Sequence, residues 1–594
     1  MDGVKSTPEL TEQEPVTEPV VTPGLHAVSG KPKRAKRHRT RKICFFLTLL
    51  IPLLCWSLVQ SLWYQPYTPV ENSYFQSPFL KNKKVLVLVP HEDDEVNLAF
   101  GVIDAFTAAG SDVTIAFATN GDSRFDGGTR VAEAIRVDAM MGVPKDHIIL
   151  LGYGDHTCNP PLFLSDPDAL RPSEAGRHET YGLEGIPDYH TKRYGKAAAY
   201  TRASCEADIA DLILTLRPDI LFVSDTDQHV DHVSLSQMFD RVMGRLLRAN
   251  PQYQPQVFKG FAYEYAWHGN PDFYRIPLAS ATQPWRASSY ETAYAWQERV
   301  RFPLPDAYLG YTLRSSKLRA LLLTYQSQYA VIKQQNLLNS DRIYWERSTD
   351  VLWGDVTASS GNAERLQDFV LSDTEEAPLA SCWCPAAEDR QPEIHIRWSQ
   401  PQTIDSLVFY DAPSPVGDID SVRVVDDTGR AQDYTLPDGS GKPCRMALHG
   451  LRTQSLTIRL LSWKGSPVGF SEIEVLPRRK QTLQWMQPTD QDDHFLYEYA
   501  CPANQPVEMR LYGYPQTPET AQITLTPENG DSPVPGATYQ EGTIRLPSLH
   551  NGRYRMRVIS GDCSAEVLLR VGDSMYWERF LQLFERKLGN YLPD

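Results

Sequence analysis

The spacing of apolar residues changes several times along the chain, and each change predicts a different kind of structure. Residues 1–42 show no hydrophobic period and are rich in Pro, Glu and Thr, which predicts a disordered tail. Residues 43–64 (ICFFLTLLIPLLCWSLVQSLWY) form an uncharged apolar run, long enough to cross a hydrocarbon core of about 30 Å as a helix. Trp63 and Tyr64 suit the far interface, and eight Lys/Arg between residues 31 and 42 place the N-terminus in the cytoplasm. The run is longer than the about 7–15 apolar residues of a signal peptide, and no small-x-small site follows it. An uncleaved single-pass anchor in the cell membrane is expected, with a stem at 65–82 and everything beyond it extracytoplasmic.

From residue 83 strands and helices alternate. Residues 84–90 (KVLVLVP) are a continuous apolar run of the kind buried on both faces of a sheet. Helix is expected over 97–110, strand over 112–119, helix over 129–142 and strand over 147–153. A long polar loop spans 154–194. Helix over 196–216, strand over 219–224, helix over 233–248 and strand over 257–265 follow, and a helix over 317–334 closes the unit. This alternation predicts an α/β domain at 83–349, built on a doubly wound, Rossmann-like parallel sheet with ligands beyond the carboxyl ends of its strands. After residue 350 the helical period disappears. Short alternating runs, such as 393–398, 406–410, 421–425 and 455–460, predict two β-sandwich-like domains at 350–479 and 480–594. In the second, strands are expected at 522–525, 554–559 and 565–571. A helix starting at Ser574 and stopping at Gly589 ends the chain.

Composition narrows the function classes. The chain has 594 residues, 41% of them hydrophobic, with 12 Trp and 29 Tyr, which excludes a wholly disordered or polytopic membrane protein. Its formal net charge is -15, while basic residues crowd just ahead of the anchor. An acidic body binds phosphate backbones poorly, so no nucleic-acid partner is expected. Of nine Cys, Cys44 and Cys55 lie in the anchor. Outside it, Cys501 with Cys563, Cys444 with Cys382 or Cys384, and Cys158 with Cys205 are candidate pairs. No nucleophile elbow, Walker A or GxGxxG segment is present.

Chemistry concentrates at two strand ends. The strand at 84–90 runs into His91-Glu92-Asp93-Asp94-Glu95, and the strand at 219–224 runs into a segment ending His229-Val230-Asp231-His232. Either segment alone reads as a solvated helix start, where carboxylates complement the dipole. Both follow buried strands, however, so both belong at one sheet edge. Histidine and carboxylate ligands from two loops build a three-ligand zinc site with an open position. Such a site acidifies water, and a spare carboxylate beside it takes the proton. His156, His178, His190 and His268 are further candidate ligands; His178 and His190 fall in the long loop, where they line the pocket or face solvent.

PHEDDE (90–95), TNGD (119–122), Arg130-x-x-Glu133, MGV (141–143), LGYGD (151–155) and HVDH (229–232) together resemble the motif series of the PIG-L/LmbE-like zinc-dependent N-deacetylases. The resemblance covers roughly 83–345 and includes KLRALLLTYQSQ (317–328). It implies one Zn2+ per chain on His91, Asp94 and His232. It implies Asp93 as the general base, His229 as the group that stabilises the oxyanion or protonates the leaving amine, and Asp231 as the carboxylate that orients that His. Arg130 and Asp155 match positions that contact the sugar, although a helix–loop salt bridge accounts for the pair equally well; Asn120 and Asp122 belong to the same rim. Glu92 departs from the family, which has Pro there. Residues 354–478 loosely resemble discoidin-like, galactose-binding sandwiches through GDVTASS (354–360), VLSD (370–373) and Trp383. Residues 481–572 resemble an immunoglobulin-like spacer. The combined expectation is a membrane-anchored, extracytoplasmic zinc amidohydrolase that removes acetyl from an N-acetylated sugar of a surface glycan or glycoconjugate. The alternatives are an inactive carbohydrate-binding or adhesion protein, or an amidase of a larger amide conjugate. The oligomeric state stays open.

Overall fold

The computed structural model describes residues 46–48, 50–53, 55 and 69–572, apart from 124–125, 156–165, 228, 264–267, 270–277, 283–293, 310–315, 334–336, 372–378, 414–416, 438–442, 480 and 531. The expected anchor at 43–64 lies mostly outside these residues. Its described part, within 46–55, is helical and exposed. No helix among the described residues is long and apolar enough to cross a membrane. The helix expected after Ser574 also lies outside the described residues.

The first folded unit is a seven-stranded sheet. Its strands are β1 (Lys84–Val89), β2 (Asp112–Thr119), β3 (Ile148–Tyr153), β4 (Ile220–Ser224), β5 (Gln256–Gly260), β6 (Val300–Pro303) and β7 (Asp341–Arg347), in the order β3-β2-β1-β4-β5-β7-β6. The first five strands of this order are parallel, and β7 and β6 add antiparallel. The expectation of a purely parallel sheet is therefore corrected at one edge. The physical reason is that this edge buries charge: Arg301, Asp341, Arg342 and Arg347 are 1–4% exposed, so their strands do not read as apolar runs. Arg301 Nε donates to Asp341 Oδ2 at 2.6 Å, which makes that burial tolerable.

Alternation along β1 shows why both faces carry helices. Val85, Val87 and Val89 join one core with α1 (Asp94–Ala99), α2 (Val102–Ala108) and α3 (Gly127–Met140). Leu86 and Leu88 join the other with α4 (Tyr189–Tyr194), α5 (Arg202–Leu216) and α6 (Val230–Ala249). The single helix expected over 97–110 is split. Gly101 takes φ 74, and a side chain there would meet Leu304 at 2.7 Å, so the chain turns and restarts as α2. The closing helix is shorter than expected: α7 (Lys317–Thr324) and a single turn at Ala330–Lys333 precede β7.

Two β-sandwich units follow. The first contains β8 (Asp355–Ala358), β9 (Glu393–Asp411), β10 (Asp418–Asp426), β11 (Ala431–Thr435), β12 (Pro443–Lys464) and β13 (Phe470–Pro477). The separate runs expected at 393–398 and 406–410 are one 19-residue strand. Register shifts between Arg397 and Gln402 and between Ile404 and Ser406 bend it. One half of β9 pairs with β8 and the other with β13, so a single ladder wraps around its core. Trp383, Trp398 and Tyr410 are 0%, 5% and 8% exposed and belong to buried cores. The last unit stacks two four-stranded sheets over Met486, Leu511, Met556 and Leu569. Its Trp485 and Tyr514 stack at 4.2 Å and enter the core of the α/β unit beside Phe302 and Phe79. Tyr74, Phe79 and Leu80, from the segment read as a stem, pack into the same core. Cys384, Cys444, Cys501 and Cys563 are free thiols, which removes the expected Cys501–Cys563 pair and both pairings of Cys444. Cys158 lies outside the described residues.

Candidate active site

The strand order reverses between β1 and β4, which are hydrogen-bonded neighbours running in parallel. Their carboxyl ends therefore open the switch-point crevice where α/β sheets bind ligands. His91 follows β1 and leads into α1; His229 caps α6, with Asp231 and His232 in its first turn.

Three donor atoms converge there. His91 Nδ1 lies 3.0 Å from Asp94 Oδ2, His232 Nε2 lies 3.1 Å from the same oxygen, and the two ring nitrogens are 3.3 Å apart. A tetrahedral ion with bonds of about 2.0–2.1 Å separates its donors by about 3.3 Å. The triangle therefore fits a small divalent cation. The far sides of the rings fit it too. His232 Nδ1 lies 2.7 Å from Asp227 Oδ2, and His91 Nε2 lies 3.2 Å from Asp231 Oδ2 and 3.3 Å from Asp155 Oδ1. A carboxylate on one ring nitrogen draws the N–H there and leaves the lone pair of the other for a cation. Asp94 is held as well: the His91 backbone N–H donates to its Oδ2 at 3.0 Å and the Asn97 amide to its Oδ1 at 3.3 Å.

A second grouping, His91 with Asp155, His229 and Asp231, also has its ligand atoms mutually close, and His229 lies within reach of His91 and His232 as well. It uses the opposite nitrogen of His91. The triangle is the better cation site, because the Nε2 side already faces two carboxylates that accept its proton.

Electrostatics follow from burial. Burial alone would raise the Asp94 carboxyl, but the His232 and His91 rings outweigh it and hold it well below the usual carboxylate range. Burial opposes charge on His232 too, yet Asp227 and Asp94 push its pKa to about 10; His91 is raised likewise by Asp155, Asp231 and Asp94. The carboxylates of Asp94, Asp155, Asp227 and Asp231 make the surroundings of the two imidazoles negative.

Asp93 takes φ 129, an unusual backbone for a side-chain-bearing residue. Its backbone N–H donates to Glu95 Oε2 at 3.0 Å, and its carboxylate accepts from Arg130 Nη2 at 3.3 Å. Arg130, 5% exposed, also donates to the Glu92 carbonyl at 3.0 Å and faces Asp155 Oδ2 at 3.7 Å. It thus bridges Asp93 and Asp155. Asp155 is 4% exposed and binds both Arg130 and His91. Glu92 is fully buried 3.6 Å from Arg130, and burial raises its carboxyl to about 7 against the pull of that guanidinium. Gly121, at φ 58, makes room: a side chain there would meet Glu92 at 2.3 Å and Arg130 at 2.8 Å.

His229 Nδ1 accepts the Asp231 backbone N–H at 3.3 Å, which leaves the ring proton on Nε2. Asp231 sits between two rings, 3.2 Å from His91 and 3.6 Å from His229. On the rim, Tyr181 donates to Asp122 at 2.6 Å and Asn120 to the Tyr181 carbonyl at 2.8 Å. His178 is exposed, and His190 pairs with Asp208 at 2.7 Å. His156 and the side chain of His268 lie outside the described residues.

Asp227 and Tyr263 carry little signal in the sequence, whereas Tyr325 and Ser327 fall in the KLRALLLTYQSQ stretch. Asp227 is one acid among several in its segment. Tyr263 walls the site with its ring 4.7 Å from that of His232. Tyr325 donates to Glu95, and Ser327 donates to Glu133 at 2.6 Å, which ties the segment after α7 to α1 and α3.

Among known families, residues 86–243 match the model described as PIG-L: GlcNAc-PI de-N-acetylase. Residues 354–476 match one described as a domain of unknown function (DUF7402). No curated protein matches the chain. Similar solved structures, for the C-terminal β region, include the lectin domain of lectinolysin complexed with Lewis B antigen, at 14% identity over 21% of this chain and 94% of that one, TM-score 0.18. They include a Streptococcus pneumoniae fucose binding module, SpX-3, at 17% identity over 22% and 97%, TM-score 0.18. They also include chitosan-binding module 1 of a chitosanase/glucanase from Paenibacillus sp. IK-5, at 19% identity over 21% and 96%, TM-score 0.17. The stretch that holds both strand-end segments, residues 86–243, is a PIG-L family domain.

Proposed function

We propose that this protein is a zinc-dependent amidohydrolase that removes the acetyl group from an N-acetylated amino sugar in a surface glycan or glycoconjugate. The observation that carries the reading is the triangle of His91 Nδ1, Asp94 Oδ2 and His232 Nε2, with edges of 3.0–3.3 Å and a carboxylate behind each ring. Two His and one Asp suit zinc among the divalent metals. When bound, the ion supplies Lewis-acid polarisation of the amide carbonyl and acidifies water.

The side chains supply the rest. Asp93 takes the proton of the attacking water; Arg130, at 3.3 Å, holds its carboxylate in place. His229 presents Nε2–H to the oxygen on which negative charge develops, an oxyanion-hole role. The amide C–N bond then breaks, and Asp93 returns its proton to the leaving amine. Asp231 and Asp155 fix the tautomer of His91, and Asp227 that of His232. Glu92 and Gly121 set the position of Arg130.

The surface location rests on the uncharged run at 43–64 and the basic residues before it. The family description of residues 86–243 supports a GlcNAc-type substrate. The test is acetate release by the full chain in detergent, with N-acetylglucosamine-containing glycans set against N-acetylated peptides. Release from the glycans alone supports the reading; release from peptides alone replaces it with a different amidase.

A further inference from the structure

A second polar cleft, of about 400 Å³, lies between α5, α6 and residues 362–368 of the neighbouring β unit. Arg202, Arg241, Arg245, Arg248 and Arg365 line it. Arg241, Arg245 and Arg248 are spaced i, i+4 and i+7 on α6, so they form one stripe, and like charges at such spacing repel. The stripe lies about 20 Å along α6 from His232, at 1.5 Å per residue.

The carboxylates present do not balance these cations. Glu206 serves two of them, 2.8 Å from Arg245 Nη2 and 3.6 Å from Arg202 Nε. Asp368 serves Arg365 at 3.2 Å. Glu364 is the third acid of the lining, so five guanidinium groups face three carboxylates. Arg241 Nη2 donates to Ser381 Oγ at 3.5 Å, and among the described residues its buried Nε has no hydrogen-bond partner. Burial lowers the pKa of Arg202, and Arg241 and Arg245 beside it add to this against the pull of Glu206 and Asp166.

The cleft is also built rigidly. Gly244 brings α6 so close to the β unit that a side chain there would meet the Asp368 carbonyl at 2.1 Å. Arg248 donates to the Gln367 carbonyl at 2.7 Å across the same junction. The walls thus come from two structural units but are fixed against each other.

We propose that this cleft is a binding site for an oxyanion carried by a saccharide, a phosphate or a carboxylate, distinct from the hydrolytic centre. A planar guanidinium pairs with both oxyanion types through two parallel N–H bonds. A saccharide carrier fits the cleft because its volume exceeds that of a bare anion and because the wall belongs to a β unit beside a sugar-directed domain. In this last respect the proposal rests on the function proposed above.

The test is calorimetric titration of the full chain in detergent with glucose 6-phosphate, glucuronate, inorganic phosphate and glucose, at low and high salt. Wild-type protein is expected to bind the phosphate sugar and the uronate more tightly than glucose, and more weakly as salt rises. Arg241→Gln/Arg245→Gln is expected to weaken this binding at least about tenfold, a loss of about 1.4 kcal/mol. Arg245→Gln alone, at a 58% exposed side chain, is the milder variant that keeps the fold. Tighter binding of glucose 6-phosphate than of glucuronate identifies phosphate as the group read; the reverse identifies carboxylate. Binding of inorganic phosphate as tight as that of the sugars, or anion binding unchanged in the double variant, overturns the proposal. Because the readout is binding, a failed deacetylase reading leaves the result intact.

Discussion

Asp227 holds Nδ1 of His232 at 2.7 Å and thereby turns Nε2 of that ring toward His91 and Asp94. The same carboxylate accepts the His229 backbone N–H at 2.9 Å and that of Tyr263 at 3.3 Å. One acid thus sets a ligand, the helix start and the aromatic wall. Asp227→Asn is expected to lower zinc affinity by about 10–100-fold while the fold persists, because the amide can present the wrong dipole to the ring. Competition against a coloured chelator measures it; unchanged affinity removes Asp227 from the site.

Asp93 is not one of the three donors of the triangle, so its loss should separate chemistry from metal binding. Asp93→Asn is expected to keep one zinc per chain and to lose about 10²–10⁴ in kcat. Metal analysis beside acetate release reads both quantities on one sample. Full activity in that variant eliminates the proposed base.

Arg130 neutralises a buried acid cluster. Arg130→Leu leaves Glu92, Asp93 and Asp155 without their shared cation and is expected to destabilise the fold by about 3–5 kcal/mol. Glu92→Gln in the same chain should recover part of that loss, since the amide carries no charge to bury. Thermal unfolding of the two single variants and the double variant gives the coupling.

The β unit carries its own pH signature. Burial, and then Asp418 beside it, raises the Asp411 carboxyl to about 8. A folded pKa above the unfolded one means that, between about pH 4 and 8, the unfolded chain ionises first and stability falls as pH rises. Asp411→Asn should therefore raise Tm at pH 8 and leave it nearly unchanged at pH 4. Equal shifts at both pH values would show that Asp411 does not titrate with folding.

What was legible in the sequence follows from where apolar runs end. β1 and β4 are uninterrupted hydrophobic segments, so the sequence alone brings His91, Asp94 and His232 to one edge. β6 and β7 were missed because Arg301, Asp341, Arg342 and Arg347 are buried as bonded charges, which hydropathy reads as solvent-facing. Phe100-Gly101 looked like helix interior, since nothing local announces the clash with Leu304 that forces the break. β9 looked like two strands because its bends fall at polar residues between two alternating runs. Arg130 and Asp155 match sugar-contact positions by motif, and the fold adds that they face each other at 3.7 Å. Tyr263 reaches the site from a distant segment through tertiary packing, which no local pattern encodes; Tyr325 falls in the KLRALLLTYQSQ stretch, but nothing in that stretch names Glu95 as its partner.

The proposed deacetylation depends on one ion held by His91, Asp94 and His232. It is tested most directly by stripping the full-length protein with chelator and titrating zinc back while acetate release from an N-acetylglucosamine glycan is followed. No release is expected from the stripped protein, followed by a linear rise that ends at one zinc per chain, and no rise in Asp94→Ala or His232→Ala. Full release from the stripped protein, or equal recovery in either variant, would contradict it.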